Sequence, residues 1–349
     1  MEKMDEKTTA LITGVNGQDG SYLTEFLLRK GYKVYGLNRR KALFGLDNLK
    51  KVLHNKNFEM VEGDLIEESR LNDIIREKKP DEIYNLASQS FVPYSWTNPV
   101  YTCNVNALGV LRLLEAIRLY SPKTKFYQAS SSEIYGKVQE IPQKEMTYHY
   151  PRSPYGCSKS FGFNITRNYR ESYGLFCCNG ILFNHESERR GLQFVTRKIS
   201  RTAAEIKLGT SKKLTLGNLN TKRDWGYAPD YVGAIWMMLQ YSKSDDYIIA
   251  TGKEHSVRDF TELAFREVGI YLRWEGEGIN EKGIDEDGNI NVEVSKKFFR
   301  PAEVEVLKGN ASKAKEILGW KPKVSFEEMI KMMVKYDIEC LKKNLKNEN

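Results

Sequence analysis

The sequence is poor in cysteine, and the spacing of its cysteines argues against two kinds of site. Five cysteines occur among 349 residues, an odd number, and none are arranged as C-x-x-C. Structural zinc sites usually need such spacing, and disulfide frameworks need an even set. We therefore expect no metal site and no disulfide framework, and we interpret the thiols as buried or unused.

Long apolar runs are missing as well. Nowhere do about 18 apolar residues follow one another, which is the length that a membrane-spanning helix requires. The opening MEKMDEKTTALITG carries charges and has no apolar stretch of signal-peptide length. We predict that no membrane is involved and that the protein is cytoplasmic.

A concentrated basic region is also lacking. The formal net charge is +8, but 54 Lys and Arg residues are spread among 46 acidic ones. A nucleic-acid-binding surface would gather its basic residues on one face or segment. We expect no nucleic acid partner, and a few arginines that face the phosphates of a small ligand would account for part of the excess.

What the chain does contain is a regular alternation of strand and helix patterns. Hydrophobic residues make up 40% and charged residues 29%, as in ordinary globular proteins. The alternation predicts an α/β fold with a doubly wound, mainly parallel sheet of the Rossmann type. The predicted strands are 8–13, 32–37, 57–63, 82–87, 125–131 and 175–183, and the predicted helices include Ser21–Arg29, Ser69–Glu77 and Leu108–Ile117.

After residue 183 the regular alternation of strand and helix patterns ends, which predicts a second domain. We assign residues 1–183 to a dinucleotide-binding domain, with later segments returning to it, and 184–345 mainly to a smaller substrate-binding domain. The glycine-rich, charged stretch 275–289 is interpreted as loop.

A glycine-rich segment between the first strand and the first helix predicts a phosphate-binding turn. Glycines allow a tight turn and let backbone N–H groups approach a pyrophosphate, which then sits at the positive end of the helix. The strand before and the helix after supply the context that this motif requires. The predicted cofactor-binding residues here are Gly14, Asn16, Gly17, Gln18, Asp19 and Gly20.

The end of the second strand indicates which dinucleotide is bound. An acidic residue there would hold the adenine ribose of NAD, but the sequence has Arg39 and Arg40. Guanidinium groups suit a 2′-phosphate, so the prediction is NADP, with an exposed basic turn as the alternative. Further cofactor contacts are predicted after the third strand, at Asp64 and Leu65, and after the fourth, at Leu86, Ser88 and Ser90.

Tyr155 and Lys159 form a Y-x-x-x-K pair on a predicted helix. Residues four apart share a helix face about 5–6 Å apart, so the ammonium is expected to lower the pKa of the phenol toward a range useful for a general base. Ser131, at the end of the fifth strand, is placed to orient the alcohol that is oxidised. Together with the glycine segment, these residues resemble the extended short-chain dehydrogenase/reductase family.

The segment Ser131-Ser132-Glu133 narrows the resemblance to nucleotide-sugar dehydratases, although Glu133 taken alone could be an ordinary polar loop residue. Oxidation needs no such carboxylate, whereas removal of an acidic C5 proton does. Long stretches resemble GDP-mannose 4,6-dehydratases over nearly the whole chain, namely 130–145, 150–156, 169–175, 178–191, 194–199, 216–226, 250–260 and 299–305.

The resemblance implies a lyase reaction with an internally recycled cofactor. Tyr155, assisted by Lys159, takes the O4 proton while NADP accepts hydride from C4. Glu133 then removes the C5 proton, water leaves C6, and the hydride returns to C6. Ser131 orients the sugar hydroxyl, and the product is a GDP-4-keto-6-deoxy sugar.

The resemblance also implies binding residues and an assembly. Cofactor contacts are implied at Tyr101, near the adenine, and at Lys159, His185 and Arg190. The implied assembly is a homodimer or homotetramer. The implied contacts with the GDP-sugar substrate are Ser90, Glu133, Asn184, Lys198, Arg223 and Arg300, with Glu303 as a partner for guanine.

Several positions depart from the family pattern. The loop after Arg40 differs, which leaves open both the strength of NADP preference and the choice between dimer and tetramer. Ser131 replaces a common Thr, Tyr227 and Pro229 follow the RDWG motif, and the segment 91–96 is unusual. A larger sugar such as that of GDP-manno-heptose is therefore an alternative substrate. Two further hypotheses stay open at this point, namely a nucleotide-sugar epimerase or reductase and a non-catalytic NADP-binding sensor.

Overall fold

A computed structural model of the protein describes residues 7–39, 46–298 and 306–348. Its central element is a seven-stranded parallel sheet with the strand order β11-β6-β5-β4-β1-β2-β3. Elements are numbered along the chain, and these strands are β1 (Thr9–Thr13), β2 (Lys33–Asn38), β3 (Phe58–Glu62), β4 (Glu82–Asn85), β5 (Lys125–Ser131), β6 (Cys177–Leu182) and β11 (Asp246–Ile249).

Helices cover both faces of this sheet because neighbouring residues of each buried strand point to opposite sides. In β1, Ala10 and Ile12 belong to one apolar core and Leu11 to the other. The first core also contains residues of α1 (Gln18–Arg29) and α8 (Ala228–Gln240). The second contains residues of α2 (Glu68–Lys78), α5 (Gly109–Tyr120) and α6 (Pro154–Tyr173).

The strand order reverses at β1, and this reversal decides where a ligand can bind. The chain runs outward on one side through β2 and β3, then returns to β4 on the other side. Loops that leave β1 and β4 therefore diverge and open a crevice at the carboxyl edge of the sheet, which is the usual binding place in such folds.

The second lobe covers the open side of this crevice. It contains a four-stranded sheet in the order β13-β14-β15-β8, packed with long helices around Phe260 and Trp225. Its elements are α7 (Val195–Lys207), β8 (Leu214–Leu216), α9 (Val257–Glu267), β13 (Arg273–Glu275), β14 (Lys282–Ile284), β15 (Ile290–Val294) and α11 (Phe326–Glu348).

Short elements connect the two lobes. β7 pairs with β10, and β9 lies between β12 and β16. A single π-helical turn at 104–108 joins α4 to α5. These elements are α3 (Val92–Thr97), α4 (Pro99–Cys103), β7 (Asn184–Glu186), β9 (Lys222–Arg223), β10 (Trp225–Tyr227), β12 (His255–Ser256), β16 (Val306–Leu307) and α10 (Ser312–Leu318).

The predicted doubly wound fold is confirmed, and one local prediction is wrong. Every strand expected before residue 183 overlaps an observed strand of the central sheet. The stretch 275–289 is not all loop, since it contains β14 and a short 3-10 helix at 278–280. The ring of Trp274 packs over Gly283 in β14, a contact between strands that local glycine content cannot reveal.

The boundary at residue 183 stays a prediction. The seventh strand of the sheet, β11, and the covering helix α8 both come from the chain after that residue. In the three described ranges, no helix has the length and apolarity needed to cross a membrane.

One buried ion pair links two helices of the second lobe. Removal of this pair tests how much it contributes to stability. Arg197 of α7 is bonded to Asp337 of α11, and both side chains are almost inaccessible. Asp337→Ala would leave a buried guanidinium without its main partner, so we expect the free energy of unfolding to fall by about 3–5 kcal/mol. Denaturant titration measures this change.

The matched control is an exposed pair, Arg76 with Asp73 on α2. Asp73→Ala should change the free energy of unfolding by less than about 1 kcal/mol, because solvent screens the pair. Equal effects of the two substitutions would contradict the assigned role of the buried pair.

Candidate active site

A cavity of about 700 Å³ lies at the carboxyl edge of the sheet, between the sheet and the second lobe. This is within the size range of small-molecule sites. Both lobes contribute polar side chains to its wall. They include Asp19, Ser88, Ser90, Ser130, Ser131, Glu133, Tyr155 and Lys159 from the first lobe, and Asn184, His185, Glu186, Arg190, Lys198, Thr221, Arg223 and Lys297 from the segments after β6.

The glycine turn after β1 brings three backbone segments into contact. Gly14 has φ +67°, and a Cβ atom there would lie 2.7 Å from the backbone nitrogen of Ala87, two residues after the end of β4. At Gly20 a Cβ atom would collide with the Gly14 carbonyl oxygen. Gly17 caps α1 without any side-chain hydrogen bond. The first N–H groups of α1 therefore remain available to an anion.

The side chains at the start of α1 are directed toward β7. Gln18 donates to the His185 carbonyl at 3.0 Å and accepts from the Ser187 hydroxyl at 2.8 Å. The Asp19 carboxylate contacts the His185 ring nitrogen Nε2 at 2.9 Å. The Gln18 side chain therefore has a structural role at this turn, while Asp19 also lines the cavity.

The ends of β2 and β3 bring together three predicted cofactor residues. The Arg39 guanidinium donates to the Tyr101 hydroxyl at 2.7 Å and lies 3.9 Å from the Asp64 carboxylate. The Arg39 side chain is half exposed. Leu65, the next residue along, is buried against this edge. The Arg39 guanidinium and the Tyr101 hydroxyl therefore meet at this edge of the sheet.

The Asn106 side chain forms hydrogen bonds that hold the loop after β4 in place. It lies in the π-helical turn, a feature often found at functional sites. Its side chain accepts from the Ser88 hydroxyl at 3.0 Å and from the Gln89 backbone N–H, and donates to the Ser158 hydroxyl on α6. The loop that carries Leu86, Ser88 and Ser90 is thereby fixed to the helix that carries Tyr155.

The end of β5 and the start of α6 place three reactive side chains together. Ser131 Oγ accepts the backbone N–H of Glu133 at 3.2 Å, and Ser131 lowers the pKa of the Tyr155 phenol. Gly156 permits the close approach, since a Cβ atom there would lie 2.7 Å from the Glu133 carbonyl. The Glu133 carboxylate is half-buried, lines the cavity and acts electrostatically on Tyr155.

Lys159 lies one helical turn beyond Tyr155 on the same face. Its ammonium is 5.8 Å from the centre of the Tyr155 ring and donates to the Ala129 carbonyl at 2.9 Å. Burial lowers the pKa of Lys159 to about 8, and the Asp19 carboxylate opposes this shift. Both side chains are almost fully buried.

The expectation that the pKa of Tyr155 lies below its ordinary value is wrong for the protein alone. Burial raises the pKa of Tyr155 to about 12, and Ser131 only partly offsets this. The Glu133 and Asp19 carboxylates add to the rise, and Arg190 opposes it. Spacing along the helix cannot report burial, which is the largest cause of the shift.

Cationic side chains cover the opposite wall of the cavity. Arg190 lies 3.1 Å from the buried Glu186 carboxylate and 3.7 Å above the Phe194 ring. Lys198 donates to the Thr215 carbonyl at 2.6 Å, and burial lowers the pKa of this ammonium. Arg223 is buried at the cavity wall. This wall suits a ligand with several negative charges.

The residues present fit a bound dinucleotide and a second polar ligand. The glycine turn has no room for side chains, and the first turn of α1 has unused N–H groups. In the ranges that the structure describes, the hydroxyls of Ser130 and Thr221 are buried at the cavity without a hydrogen-bond partner. Buried polar groups are nearly always satisfied, so such hydroxyls indicate a missing partner.

Comparison with known proteins identifies the family. The family model described as GDP-mannose 4,6 dehydratase matches residues 11–333. The chain is 52% identical to GDP-mannose 4,6 dehydratase 2 of Caenorhabditis elegans, over 96% of this chain and 90% of that one. It is 50% identical to the human GDP-mannose 4,6 dehydratase, over 97% and 93%. The chain belongs to the GDP-mannose 4,6-dehydratase family.

Solved structures place this family member among nucleotide-sugar enzymes of the same fold. The UDP-glucose 4-epimerase of Thermus thermophilus, solved with NAD, superposes with a TM-score of 0.79 at 26% identity, over 95% of this chain and 99% of that one. The UDP-glucose 4-epimerase of Thermotoga maritima, solved with UDP-glucose, gives 0.80 at 25%, over 96% and 100%. The family model and the two curated relatives confirm the predicted resemblance to GDP-mannose 4,6-dehydratases.

The structure gathers most of the predicted residues of this dehydratase-family chain into one region, and three lie outside the described residues. Ser131, Glu133, Tyr155 and Lys159 line the cavity together with Ser90 and Asn184. Arg40, Arg300 and Glu303 fall in the two internal segments that are not described.

Sequence reasoning missed several cavity residues. Glu186 is two residues beyond Asn184 on β7, and the run of polar residues directly after a buried strand was an available signal. Ser130 had the same signal, at the end of β5. No sequence signal marked Thr221 or Lys297, because the segments that carry them reach the cavity only through the packing of the second lobe.

The glycine turn yields a test that does not depend on the reaction. In Gly20→Ala the new methyl group would collide with the Gly14 carbonyl, so α1 would have to move from β1. We expect dinucleotide affinity, measured by calorimetry, to fall at least about 100-fold as the N–H groups lose their alignment.

Gly233→Ala on α8 is the control, since a Cβ atom there has nothing within 4 Å. It should leave affinity unchanged and raise the free energy of unfolding by up to about 1 kcal/mol. Undiminished dinucleotide binding by Gly20→Ala would contradict the assigned site.

Proposed function

We propose that this protein is a GDP-mannose 4,6-dehydratase that converts GDP-mannose into GDP-4-keto-6-deoxymannose and water. The observation that carries the proposal is the meeting of Ser131, Glu133, Tyr155 and Lys159 at one cavity wall. An epimerase needs a phenol and an ammonium but no carboxylate beside them. Family membership over residues 11–333 supports the same conclusion.

Each of the four side chains has a role that its position supports. Tyr155 accepts the proton of the C4 hydroxyl, and Ser131, which lines the same cavity, orients that hydroxyl. Glu133 removes the C5 proton, which becomes acidic beside the new ketone, and passes it to the C6 hydroxyl, which leaves as water. Return to C6 of the hydride taken from C4, with a proton added at C5, would then complete the 6-deoxy product. Lys159 stabilises the phenolate through its positive charge. A nicotinamide cofactor, when bound, supplies the reversible hydride acceptor that C4 oxidation requires.

We propose NADP as that cofactor. Arg39 supports this choice, because it lies at the end of β2 with its guanidinium half exposed beside Tyr101. A guanidinium pairs with two oxygens of a phosphate, whereas the ribose hydroxyls of NAD would favour a carboxylate at this place. Gly14, Gly17 and Gly20 would hold the pyrophosphate against the first turn of α1.

The GDP part of the substrate is proposed to bind the cationic wall. Arg223 is buried there and Lys198 is half-buried. Charge-assisted hydrogen bonds from such groups to a pyrophosphate are among the stronger polar contacts in proteins. Asn184 and Ser90 line the part of the cavity nearest to Glu133 and would contact the sugar.

We also propose that the protein assembles as a homodimer or homotetramer. Exposed apolar side chains on neighbouring elements support this, among them Leu108, Phe161 and Tyr173. The glycine turn before residue 183, and Lys198 and Arg223 after it, support the proposed division into two domains. The cytoplasmic location stays a prediction from the sequence.

The carboxylate of Glu133 provides the sharpest test of the reaction. Wild-type protein incubated with GDP-mannose and NADP should yield a product lighter by one water, followed by mass spectrometry. Glu133→Gln keeps the size of the side chain but cannot accept the C5 proton, so turnover should fall about 100- to 10,000-fold.

GDP-manno-heptose is tested in parallel, because Phe91, Val92, Pro93 and Trp96 of the unusual segment line the cavity. Glu140→Gln changes an exposed carboxylate outside the cavity wall and serves as the control. A product of unchanged mass and altered stereochemistry would replace the proposal with an epimerase. Absence of any reaction with both sugars would favour a non-catalytic binding protein.

The cofactor proposal is tested at Arg39. In Arg39→Ala the dissociation constant for NADP, measured by calorimetry, should rise about tenfold or more, since one charge-assisted contact contributes about 1.5–3 kcal/mol. The constant for NAD should change little. Arg29→Ala, at the exposed end of α1, is the matched control. Equal losses for both cofactors would argue against a contact with the 2′-phosphate.

A further inference from the structure

Glu186 is a buried carboxylate in the cavity wall that the proposed reaction does not use. It lies on β7 with 1% of its surface exposed, and its oxygen Oε2 accepts the Thr196 hydroxyl at 2.6 Å. The same oxygen lies 3.1 Å from Nε of Arg190. All three residues line the cavity. A carboxylate repels the anionic ligands that this cavity suits, so its place in the wall needs another physical reason.

The Arg190 guanidinium is held on two sides. Its central carbon lies 3.7 Å from the centre of the Phe194 ring, so the ring covers one face of the planar group. Phe194 in turn packs edge to face with Phe91, with 5.7 Å between the ring centres. The Glu186 carboxylate lies on the Nε side. Stacking and opposite charge therefore both restrict the orientation of the guanidinium.

The Nη atoms of Arg190 form the edge that is left for a ligand. Nε is buried and has no aligned hydrogen bond with any residue in the described ranges, whereas 19% of the side chain is accessible. In a planar guanidinium the two Nη atoms form the edge opposite Nε, and their paired N–H groups fit a phosphate. With Nε toward Glu186, this outer edge is the part that a ligand in the cavity can contact.

Arg190 lies close to the first turn of α1. The Ser187 hydroxyl donates to the Gln18 side-chain oxygen at 2.8 Å, and the Ser187 carbonyl accepts the Arg190 backbone N–H at 3.1 Å. Arg189 donates to the Ser21 hydroxyl at 3.0 Å. The chain that carries Arg190 is thereby fastened to the helix end whose available N–H groups suit a pyrophosphate.

We propose, as an extension of the proposed function, that Glu186 and Phe194 fix the Arg190 guanidinium with its Nη edge toward the pyrophosphate of NADP. Both are positioning residues, because they act through Arg190 and not on the ligand. The Glu186 charge opposes the ligand, but a guanidinium that is fixed before binding avoids the loss of side-chain freedom that binding would otherwise require. The proposal holds that this second effect is the larger one.

A double substitution separates positioning from a simple effect of charge. The dissociation constant for NADP is measured by calorimetry on the full-length chain. Arg190→Ala should raise it at least about tenfold, because a charge-assisted contact is lost. Glu186→Gln should raise it about threefold or more, because the guanidinium is no longer fixed. In the Arg190→Ala background, Glu186→Gln should instead lower the constant, because only the repulsion between carboxylate and ligand remains to be removed.

The sign of the Glu186→Gln effect in the two backgrounds decides the proposal. Weaker binding in both would show that Glu186 only supports the fold, and stronger binding in both would show that it only repels the ligand. Either result would overturn the proposal, as would no change in the wild-type background. Glu25→Gln is the matched control, since Glu25 pairs with the neighbouring Arg189 and neither lines the cavity. It should leave NADP binding unchanged.

Two further ligands locate the contact. GDP carries its own pyrophosphate, whereas adenosine 2′-monophosphate carries the 2′-phosphate of NADP and no pyrophosphate. Arg190→Ala should change the dissociation constants of both ligands little. A loss of GDP binding without a loss of NADP binding would assign Arg190 to the substrate and overturn the proposal. A loss of adenosine 2′-monophosphate binding equal to that of NADP would also overturn it.

The Nε–H group of Arg190 reports the positioning without any ligand. Arginine-selective ¹⁵N labelling, with the signal assigned by Arg190→Lys, follows hydrogen exchange at this buried group. Exchange should be about threefold faster or more in Glu186→Gln, because the guanidinium moves more freely. An unchanged exchange rate would overturn the proposal. If the wild-type protein binds no NADP, the proposed cofactor and the pyrophosphate contact both fail, while the exchange rate still decides whether Glu186 fixes Arg190.

Discussion

The backbone contact at the glycine turn is the constraint on which the rest of the site depends. Gly14 lies directly against the backbone of Ala87, and Gly20 lies against the Gly14 carbonyl. This closeness brings the first turn of α1 to the crevice where the strand order reverses. Any side chain at either glycine would separate α1 from the sheet, and Asp19 would then no longer reach β7.

The charges of the cavity are arranged as compensated pairs on a rigid frame. Burial of an isolated ion costs several kcal/mol, so each buried charge here has a partner or a polar contact. Asp19 faces His185, Glu186 faces Arg190, and the Lys159 ammonium donates to the Ala129 carbonyl. Acidic groups are held mainly by α1, β7 and the end of β5, whereas cations of the second lobe cover the opposite wall. A nucleotide sugar with a pyrophosphate and several hydroxyls matches this distribution.

Part of the site could be predicted from the sequence, because the geometry of single helices and turns determines the positions of those residues. Tyr155 and Lys159 are four residues apart on α6, so any regular helix puts them on one face. The glycine turn and the arginine at the end of β2 follow from the order of strand, turn and helix. The contents of 275–289 could not be predicted in this way, because β14 owes its conformation to β13, β15 and the Trp274 ring.

The sequence by itself determined the parallel sheet, the position of the dinucleotide turn and the set of reactive residue types. These follow from hydrophobic periodicity and from spacing along single elements. Only the tertiary structure decided the ionisation and the partners of those residues. Burial raises the pKa of Tyr155 although Lys159 is adjacent, and Asp19 bonds to a histidine that lies 166 residues further along the chain. Desolvation and long-range contacts depend on what packs around a group, and one-dimensional spacing does not contain that information.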